Sequence, residues 1–112
     1  MIDSCIFCKI GRGEIAAKIR YENDEVIAFD DINPKAPTHL LIIPKIHINS
    51  ILAMSDSEID TTSKLVAAAK KIATENNLDG LRLVFNSGKD AGMEIDHLHL
   101  HLLAGSKLGP MC

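Results

Sequence analysis

Three histidines alternate with leucines near the end of the 112-residue chain, in the stretch Asp96-His97-Leu98-His99-Leu100-His101-Leu102-Leu103. Strict alternation of polar and apolar residues is typical of a half-buried β-strand, in which successive side chains point to opposite faces. The pattern therefore predicts a strand over residues 96–103 with its leucines in the core. The three imidazoles would share the other face, about 6.7 Å apart along the strand, where a ligand can reach them.

Imidazole chemistry leaves two functional interpretations of this row open. Neutral imidazole is the commonest metal ligand, and histidines two residues apart can share one ion. An imidazole can also act as a nucleophile, with its neighbours orienting it and transferring protons. A purely structural role is the weakest interpretation, because adjacent imidazoles that both protonate repel each other. The spacing alone does not separate metal binding from nucleophilic catalysis.

Further motifs along the chain resemble those of one family. His-Leu-His-Leu-His-Leu-Leu is similar to the signature of the histidine triad (HIT) family, His-φ-His-φ-His-φ-φ with φ apolar. Residues 29–32 and 36–47 resemble the front half of that family, and residues 5–10 resemble its bacterial members. Asn86-Ser87-Gly88 with Gly92 precedes the triad at the family's distance. The resemblance covers nearly the whole chain and is nearest to the Hint branch, the nucleoside phosphoramidases.

The resemblance implies a hydrolase or nucleotidyl transferase that acts at the α-phosphorus of purine nucleoside phosphoramidates, such as adenosine 5′-phosphoramidate. His99 would attack phosphorus to form a nucleotidyl-histidine intermediate, which water then cleaves. His101 would contact the phosphoryl group and assist the leaving atom, while His97 would support the reaction or bind a metal. The implied reaction itself needs no metal cofactor. Two alternatives stay open: a dinucleoside polyphosphate hydrolase, and a nucleotide-binding scaffold protein with little turnover.

The resemblance also implies a nucleotide site assembled from several segments. Asp31 would accept hydrogen bonds from the ribose hydroxyls, and Asn86 would contact ribose or phosphate. Glycines in the loop before the triad would let backbone amides approach an anion closely. Apolar side chains would line a slot for the flat base. The implied nucleotide-binding set is Phe7, Phe29, Asp31, Ile32, Asn86, Gly92, His99 and His101.

Two residues shortly before the triad depart from the family pattern. Met93 and Glu94 stand where relatives usually have Gln and then Ser or Thr. A carboxylate at that place would repel a substrate phosphate, favour a cationic leaving amine or turn out to solvent. The sequence does not choose between these outcomes. His39, inside an apolar segment, is expected to make an ordinary core or strand contact and not to be catalytic.

The pair Cys5-x-x-Cys8 has three interpretations from the residues alone: a redox pair, half of a zinc site, or two buried thiols. Redox activity needs a thioredoxin-like βαβ context, which this pattern lacks. The resemblance implies a structural zinc ion, as in some relatives, and its ligands would be Cys5, Cys8, His47 and His97. Two buried free thiols remain the alternative.

Length, composition and charge limit the class of protein. A chain of 112 residues that is 46% hydrophobic predicts one domain over residues 1–112. A formal net charge of −3 disfavours binding to a nucleic acid polymer. No apolar run of eighteen residues and no signal-peptide pattern occur, so we expect no membrane association and a cytoplasmic location. Three cysteines, an odd number, agree with a reducing compartment.

Hydrophobic periodicity predicts an α+β fold with a short N-terminal helix around residues 6–10 and one long helix. The strands are predicted at residues 19–22, 26–29, 39–44, 81–85 and 96–103. Ser55 and Glu58 have the spacing of a capping box for the long helix, which would run to about residues 76–77. Strands on both sides of one helix predict a mainly antiparallel five-stranded sheet. The resemblance implies this HIT-like fold, dimerised into a continuous ten-stranded sheet.

Overall fold

An antiparallel sheet of five strands forms the centre of the computed structural model, which describes residues 4–110. The strands are β1 (Ile19–Glu22), β2 (Val26–Asp30), β3 (Thr38–Pro44), β4 (Arg82–Phe85) and β5 (Leu100–Ala104). Their order across the sheet is β1-β2-β3-β5-β4, and every neighbouring pair is antiparallel. The predicted α+β class with a five-stranded antiparallel sheet is confirmed.

Two α-helices flank this sheet, α1 (Ile6–Gly11) and α2 (Asp60–Glu75). Ser55 and Glu58 form the predicted capping box, but the box opens a 3₁₀ turn, Asp56–Glu58, so α2 begins later than predicted. A second 3₁₀ turn, Lys89–Ala91, lies in the loop before the triad. Within residues 4–110, no helix is long and apolar enough to cross a bilayer.

The sheet is covered on both faces at its centre. On one face, α2 packs with Leu65 and Ile72 against a core that includes Leu40, Ile42, Leu100 and Leu102. On the other face, α1 packs with Phe7 and Ile10 against Ile27, Phe29, Leu41 and Ile43. Because β3 is buried on both faces, its apolar run is continuous, as predicted for a central strand.

The triad strand is shorter than the alternation predicts. β5 begins at Leu100, and its ladder with β3 stops at the pair Ile42–Leu100. Two residues farther along β3, Pro44 has no N–H group to extend the ladder. The Leu98 N–H instead donates to the carbonyl oxygen of Ile48. His97 and His99 therefore lie just before the strand and not within it.

This early end of strand pairing separates imidazoles that the pattern placed on one face. His99 and His101 line a cleft on the α1 side of the sheet. His97 is fully buried, and its ring lies against Cys5 and Cys8. The prediction that all three imidazoles share one ligand-accessible face is therefore wrong for His97.

Candidate active site

A cleft of about 1180 Å³ opens where α1, the central strands and the loop before the triad meet. Its lining includes every residue of the predicted nucleotide-binding set: Phe7, Phe29, Asp31, Ile32, Asn86, Gly92, His99 and His101. These residues come from four separate parts of the chain. The fold thus gathers the whole set around one open space.

His99 has a defined tautomer. Its Nδ1 atom lies 2.7 Å from the His97 carbonyl oxygen, which can only accept, so in the neutral ring Nδ1 carries the proton and Nε2 carries the lone pair. No hydrogen bond reaches Nε2 from residues 4–110, and no buried side-chain nitrogen in that range lacks a partner. The Nε2 atom is therefore open to the cleft, where it presents a basic nitrogen to a ligand.

A chain of hydrogen bonds gives His101 the opposite orientation of donor and acceptor. The Lys35 N–H donates to Nδ1 of His39 at 3.0 Å, so His39 carries its proton at Nε2. That Nε2–H lies 2.9 Å from Nδ1 of His101 and 3.4 Å from Oδ2 of Asp31. Because Nδ1 of His101 accepts, the neutral His101 ring carries its proton at Nε2. His101 is thus a hydrogen-bond donor beside a basic His99.

Burial keeps this chain of imidazoles neutral. Desolvation lowers the pKa of His101 to about 4, and the nearby His99 and His39 act in the same direction. Desolvation also lowers the pKa of His39, although the Asp31 carboxylate opposes the shift. The order of donors and acceptors therefore holds at neutral pH. His39, expected to make an ordinary core contact, is a positioning residue for His101.

Aromatic and apolar side chains form one wall of the cleft. The Phe7 ring meets Phe29 edge-to-face at 5.5 Å and meets His99 edge-to-face at 5.2 Å between centroids. Ile32 stands at the rim and is 91% exposed. This wall can stack against or cover a flat, poorly hydrated ligand group.

Two neighbouring carboxylates at the end of β2 have different surroundings. Asp30 forms a bidentate ion pair with Arg20, with both N–O distances at 2.9 Å, and this bond lowers the pKa of Asp30. Asp31 accepts the Asn33 N–H through Oδ1 at 2.8 Å and turns Oδ2 toward His39. Asp30 is thus paired with Arg20 at the surface, whereas the Asp31 carboxylate faces the cleft beside the triad.

Several cleft residues were missed from the sequence. Leu41 and Val84 lie directly opposite His101 on the two neighbouring strands, and Leu103 follows His101 on the same face. The period of two identifies Leu103, but cross-strand register is needed to find the other two. Glu94, which the sequence singled out as a departure from the family pattern, lines the cleft and is exposed, with no ion pair to any residue of the described range 4–110.

Behind the cleft, the predicted metal ligands Cys5, Cys8, His47 and His97 converge. The Cys8 sulfur lies 3.2 Å from Nδ1 of His47 and 3.5 Å from Nδ1 of His97. The Cys5 sulfur lies 3.4 Å from Nδ1 of His97. All four ligand atoms lie within 4.8 Å of one another. Two thiolates and two imidazoles at such spacing suit a tetrahedral zinc ion.

The surroundings of this cluster agree with a structural metal site. Nε2 of His97 donates to the Pro44 carbonyl oxygen at 3.0 Å, and Nε2 of His47 donates to Oδ1 of Asn49 at 2.6 Å. Both rings therefore turn a Nδ1 lone pair toward the sulfur atoms. Burial raises the pKa of the Cys8 thiol to about 11, unlike the lowered pKa of a reactive redox cysteine. The donor set fits zinc and disfavours the redox interpretation.

A second group of ligand-type atoms lies in the cleft itself and comprises Asp31, His39 and His101. Nδ1 of His39 accepts the Lys35 amide, so its Nε2 carries a proton and offers no lone pair to an ion. This group is a hydrogen-bond chain. Within residues 4–110 no cluster unites the three triad imidazoles, so the interpretation in which they share one ion is disfavoured.

Comparisons with known proteins agree with this fold. The model of the family described as "Scavenger mRNA decapping enzyme C-term binding" matches residues 4–111. A histidine triad protein from Clostridium difficile superposes with a TM-score of 0.96 at 46% identity, covering 98% of this chain and 97% of that one. A HIT family hydrolase from Legionella pneumophila Philadelphia 1 superposes with a TM-score of 0.89, also at 46% identity, covering 94% and 96% of the two chains.

Fold, cleft and comparisons together define the class: the chain belongs to the histidine triad family. Among its curated relatives is the purine nucleoside phosphoramidase of Escherichia coli (strain K12). That protein is 43% identical over 113 aligned residues, which cover 99% of this chain and 95% of the relative. The resemblance seen in the motifs thus extends to the whole chain.

Proposed function

We propose that the protein is a hydrolase that cleaves purine nucleoside phosphoramidates at the α-phosphorus. The observation that carries the proposal is the tautomer of His99, whose Nδ1–H is held by the His97 carbonyl so that Nε2 opens to the cleft. The base would occupy the slot beside Phe7 and Phe29, and the ribose hydroxyls would bind Asp31. The E. coli relative named purine nucleoside phosphoramidase supports this substrate class.

In the first step, Nε2 of His99 attacks the α-phosphorus. A bond forms between phosphorus and Nε2 while the bond from phosphorus to the leaving amine breaks. The imidazole ring becomes positive as it attacks, and the His97 carbonyl at Nδ1–H stabilises that charge. The Nε2–H of His101 donates to the phosphoryl group or to the leaving nitrogen, which departs as an amine after taking a proton from solvent.

In the second step, water attacks the nucleotidyl-histidine intermediate. A P–O bond forms, the P–N bond to His99 breaks, and the attacking water releases a proton to solvent. The ring returns to its neutral tautomer while a nucleoside monophosphate leaves. Both steps use only side chains and water, so the proposed reaction needs no metal cofactor. A phosphorylated imidazole suits this route because its P–N bond is labile.

A side-by-side assay tests the proposal. We expect adenosine 5′-phosphoramidate to be hydrolysed faster than a dinucleoside polyphosphate, and a quenched reaction to contain an adenylyl group on His99. Faster cleavage of the polyphosphate would favour the dinucleoside polyphosphate hydrolase. Nucleotide binding without turnover or adduct would favour the scaffold protein.

We further propose that Cys5, Cys8, His47 and His97 bind one structural zinc ion. The converging Nδ1 and sulfur atoms support it, as does the hydrogen bond at each Nε2. The ion would link α1 to the end of β3 and to the start of the triad. Metal analysis of protein purified without chelator should give about one zinc per chain; clearly substoichiometric zinc would contradict this.

We also infer a homodimer and a cytoplasmic location. β4 is an edge strand, whose outer backbone groups can pair with a second copy of the chain, as the family resemblance implies. Cys5 and Cys8 form no disulfide, which favours a reducing compartment. The net charge of −3 supports a small nucleotide partner in preference to a nucleic acid polymer or a membrane surface.

A further inference from the structure

His97 joins the predicted metal cluster to the reacting imidazole. Its ring belongs to the cluster, with Nδ1 3.4 Å from the Cys5 sulfur and 3.5 Å from the Cys8 sulfur. Its peptide belongs to the cleft, because its carbonyl oxygen accepts the Nδ1–H of His99 at 2.7 Å. A single fully buried residue, His97, therefore contacts both the metal cluster and the reacting imidazole.

Phe7 makes a second connection between cluster and cleft. It lies in α1 between Cys5 and Cys8, and its ring meets His97 edge-to-face at 5.9 Å and His99 at 5.2 Å. The helix has six residues, a length that is not stable by itself. Its position therefore depends on the contacts of its ends and its buried face. An ion bound by both cysteines would attach α1 to His47, which follows β3, and to His97, which precedes β5.

We propose that the metal cluster is a positioning device for the nucleotide site. With its ion bound, it holds the His97 peptide, and the carbonyl of that peptide keeps the proton of His99 on Nδ1. It also holds Phe7 against the base slot. Without the ion, the peptide and α1 lose a common anchor, so His99 loses its single tautomer and the slot loses a wall. Both halves of this claim rest on the proposed zinc site, and the nucleotide-binding half rests also on the proposed hydrolase function.

Nuclear magnetic resonance of histidine-¹⁵N-labelled protein tests the tautomer half directly. In the zinc-loaded chain we expect the pattern of a single Nδ1–H tautomer at His99. After zinc is removed by a chelator we expect a mixture of tautomers, with far-UV circular dichroism reporting that the sheet is kept. Calorimetric titration with AMP tests the nucleotide-binding half. The Kd for AMP should rise about tenfold or more when zinc is removed, which is the size of effect seen when residues that support the ligands of a site are lost.

Two variants separate positioning from general loosening. Ala69→Gly, in the α2 core on the opposite face of the sheet, should lower the melting temperature yet keep zinc, the His99 tautomer and the AMP affinity. Where chelation unfolds the chain, the triple variant Cys5→Ala, Cys8→Val, His47→Leu fills the cluster with apolar groups and supplies a metal-free fold. We expect it to show mixed tautomers and weak AMP binding.

Several results would overturn the proposal. A chain that binds no zinc, or a folded metal-free chain with the His99 tautomer unchanged and AMP affinity within twofold, leaves the cluster without a positioning role. Equal changes in Ala69→Gly would assign the effect to lower stability. If zinc-loaded protein binds no AMP while its tautomer still responds to zinc, the proposed function fails and the positioning of His99 stands.

Discussion

His99 and His101 are two residues apart, yet their hydrogen-bond partners give them opposite chemistry. A carbonyl oxygen receives the Nδ1–H of His99, and an imidazole N–H donates to Nδ1 of His101. One ring therefore offers the cleft a lone pair and the other offers it a proton donor. The hydrogen-bond partner at Nδ1 therefore gives two identical side chains different roles.

Removal of the basic ring should be far more damaging than removal of the donor. We expect His99→Ala to lose about 10³-fold or more in phosphoramidate hydrolysis with AMP affinity little changed, because the nucleophile is lost. His101→Ala should lose less, because only assistance to the transition state is removed. Steady-state kinetics with AMP calorimetry measures both; comparable losses in the two variants would contradict the ranking.

His39 should affect catalysis through His101. His39→Leu removes the N–H that donates to Nδ1 of His101, so the His101 tautomer is no longer held. We expect kcat to fall about tenfold while KM changes much less. Ile43→Val, a buried change in the same strand, is the matched control and should keep kcat. A fall in kcat of equal size in the control would assign the loss to strand packing.

The buried imidazoles predict weaker stability in acid. His101 has a pKa of about 4 in the folded chain against 6.5 unfolded, so between these values only the unfolded chain takes up the proton. Stability should therefore fall as the pH is lowered from 6.5 to 4, by on the order of 2–3 kcal/mol from His101. Urea unfolding of wild type and His101→Asn measures it, and the variant should show the shallower dependence on pH. Parallel curves would contradict the assignment.

Among the secondary-structure elements, the end of β3 has the largest consequence for the site. Pro44 cannot donate a backbone hydrogen bond, and the ladder between β3 and β5 ends nearby. The chain before Leu100 is then free to carry the His97 ring under α1, where Nε2 donates to the Pro44 carbonyl oxygen. The end of one strand thus assigns His97 to the cysteine cluster and His99 to the cleft.

Close packing at the other end of β5 predicts a sensitive glycine. Gly105 has φ of +96°, and a Cβ there would lie 2.9 Å from Cβ of Pro37, the residue just before β3. We expect Gly105→Ala to cost about 2–4 kcal/mol in the free energy of urea unfolding, from strain plus the clash. Gly92→Ala is the matched control: φ is +81° but no atom lies within 4 Å, so about 1 kcal/mol is expected. Equal costs would mean that the contact with Pro37 is unimportant.

For the whole molecule, the open edge of the sheet predicts association through β4. Leu81 directly precedes β4 and is 36% exposed, whereas Ile19 begins β1 at the opposite edge and is 42% exposed. We expect wild type to sediment as a dimer, Leu81→Asp to shift toward monomer because a buried charge is costly at an interface, and Ile19→Asp to stay dimeric. Analytical ultracentrifugation measures the mass. A monomeric wild type, or dissociation only in Ile19→Asp, would contradict an interface at β4.

Much of this fold could be predicted from the sequence because local periodicity follows from burial on one face. The alternation around the triad correctly placed Leu98, Leu100 and Leu102 in the core, and the continuous apolar run of β3 correctly indicated a central strand. The capping box at Ser55 was also found, since its two side chains lie within one turn. Strand ends were less predictable, because they depend on whether a partner strand still offers hydrogen bonds.

The sequence by itself determined most of the residues that could do chemistry: types and spacing singled out the three triad histidines and the paired cysteines, and the family resemblance added Asp31. Only the tertiary structure decided which nitrogens of His39 and His101 carry their protons, because that depends on the Lys35 amide, which is distant from the triad in sequence. The role of His39 became visible for the same reason: its hydrogen bond to His101 crosses between neighbouring strands. Hydrogen bonds across strands depend on register, which local sequence patterns do not encode.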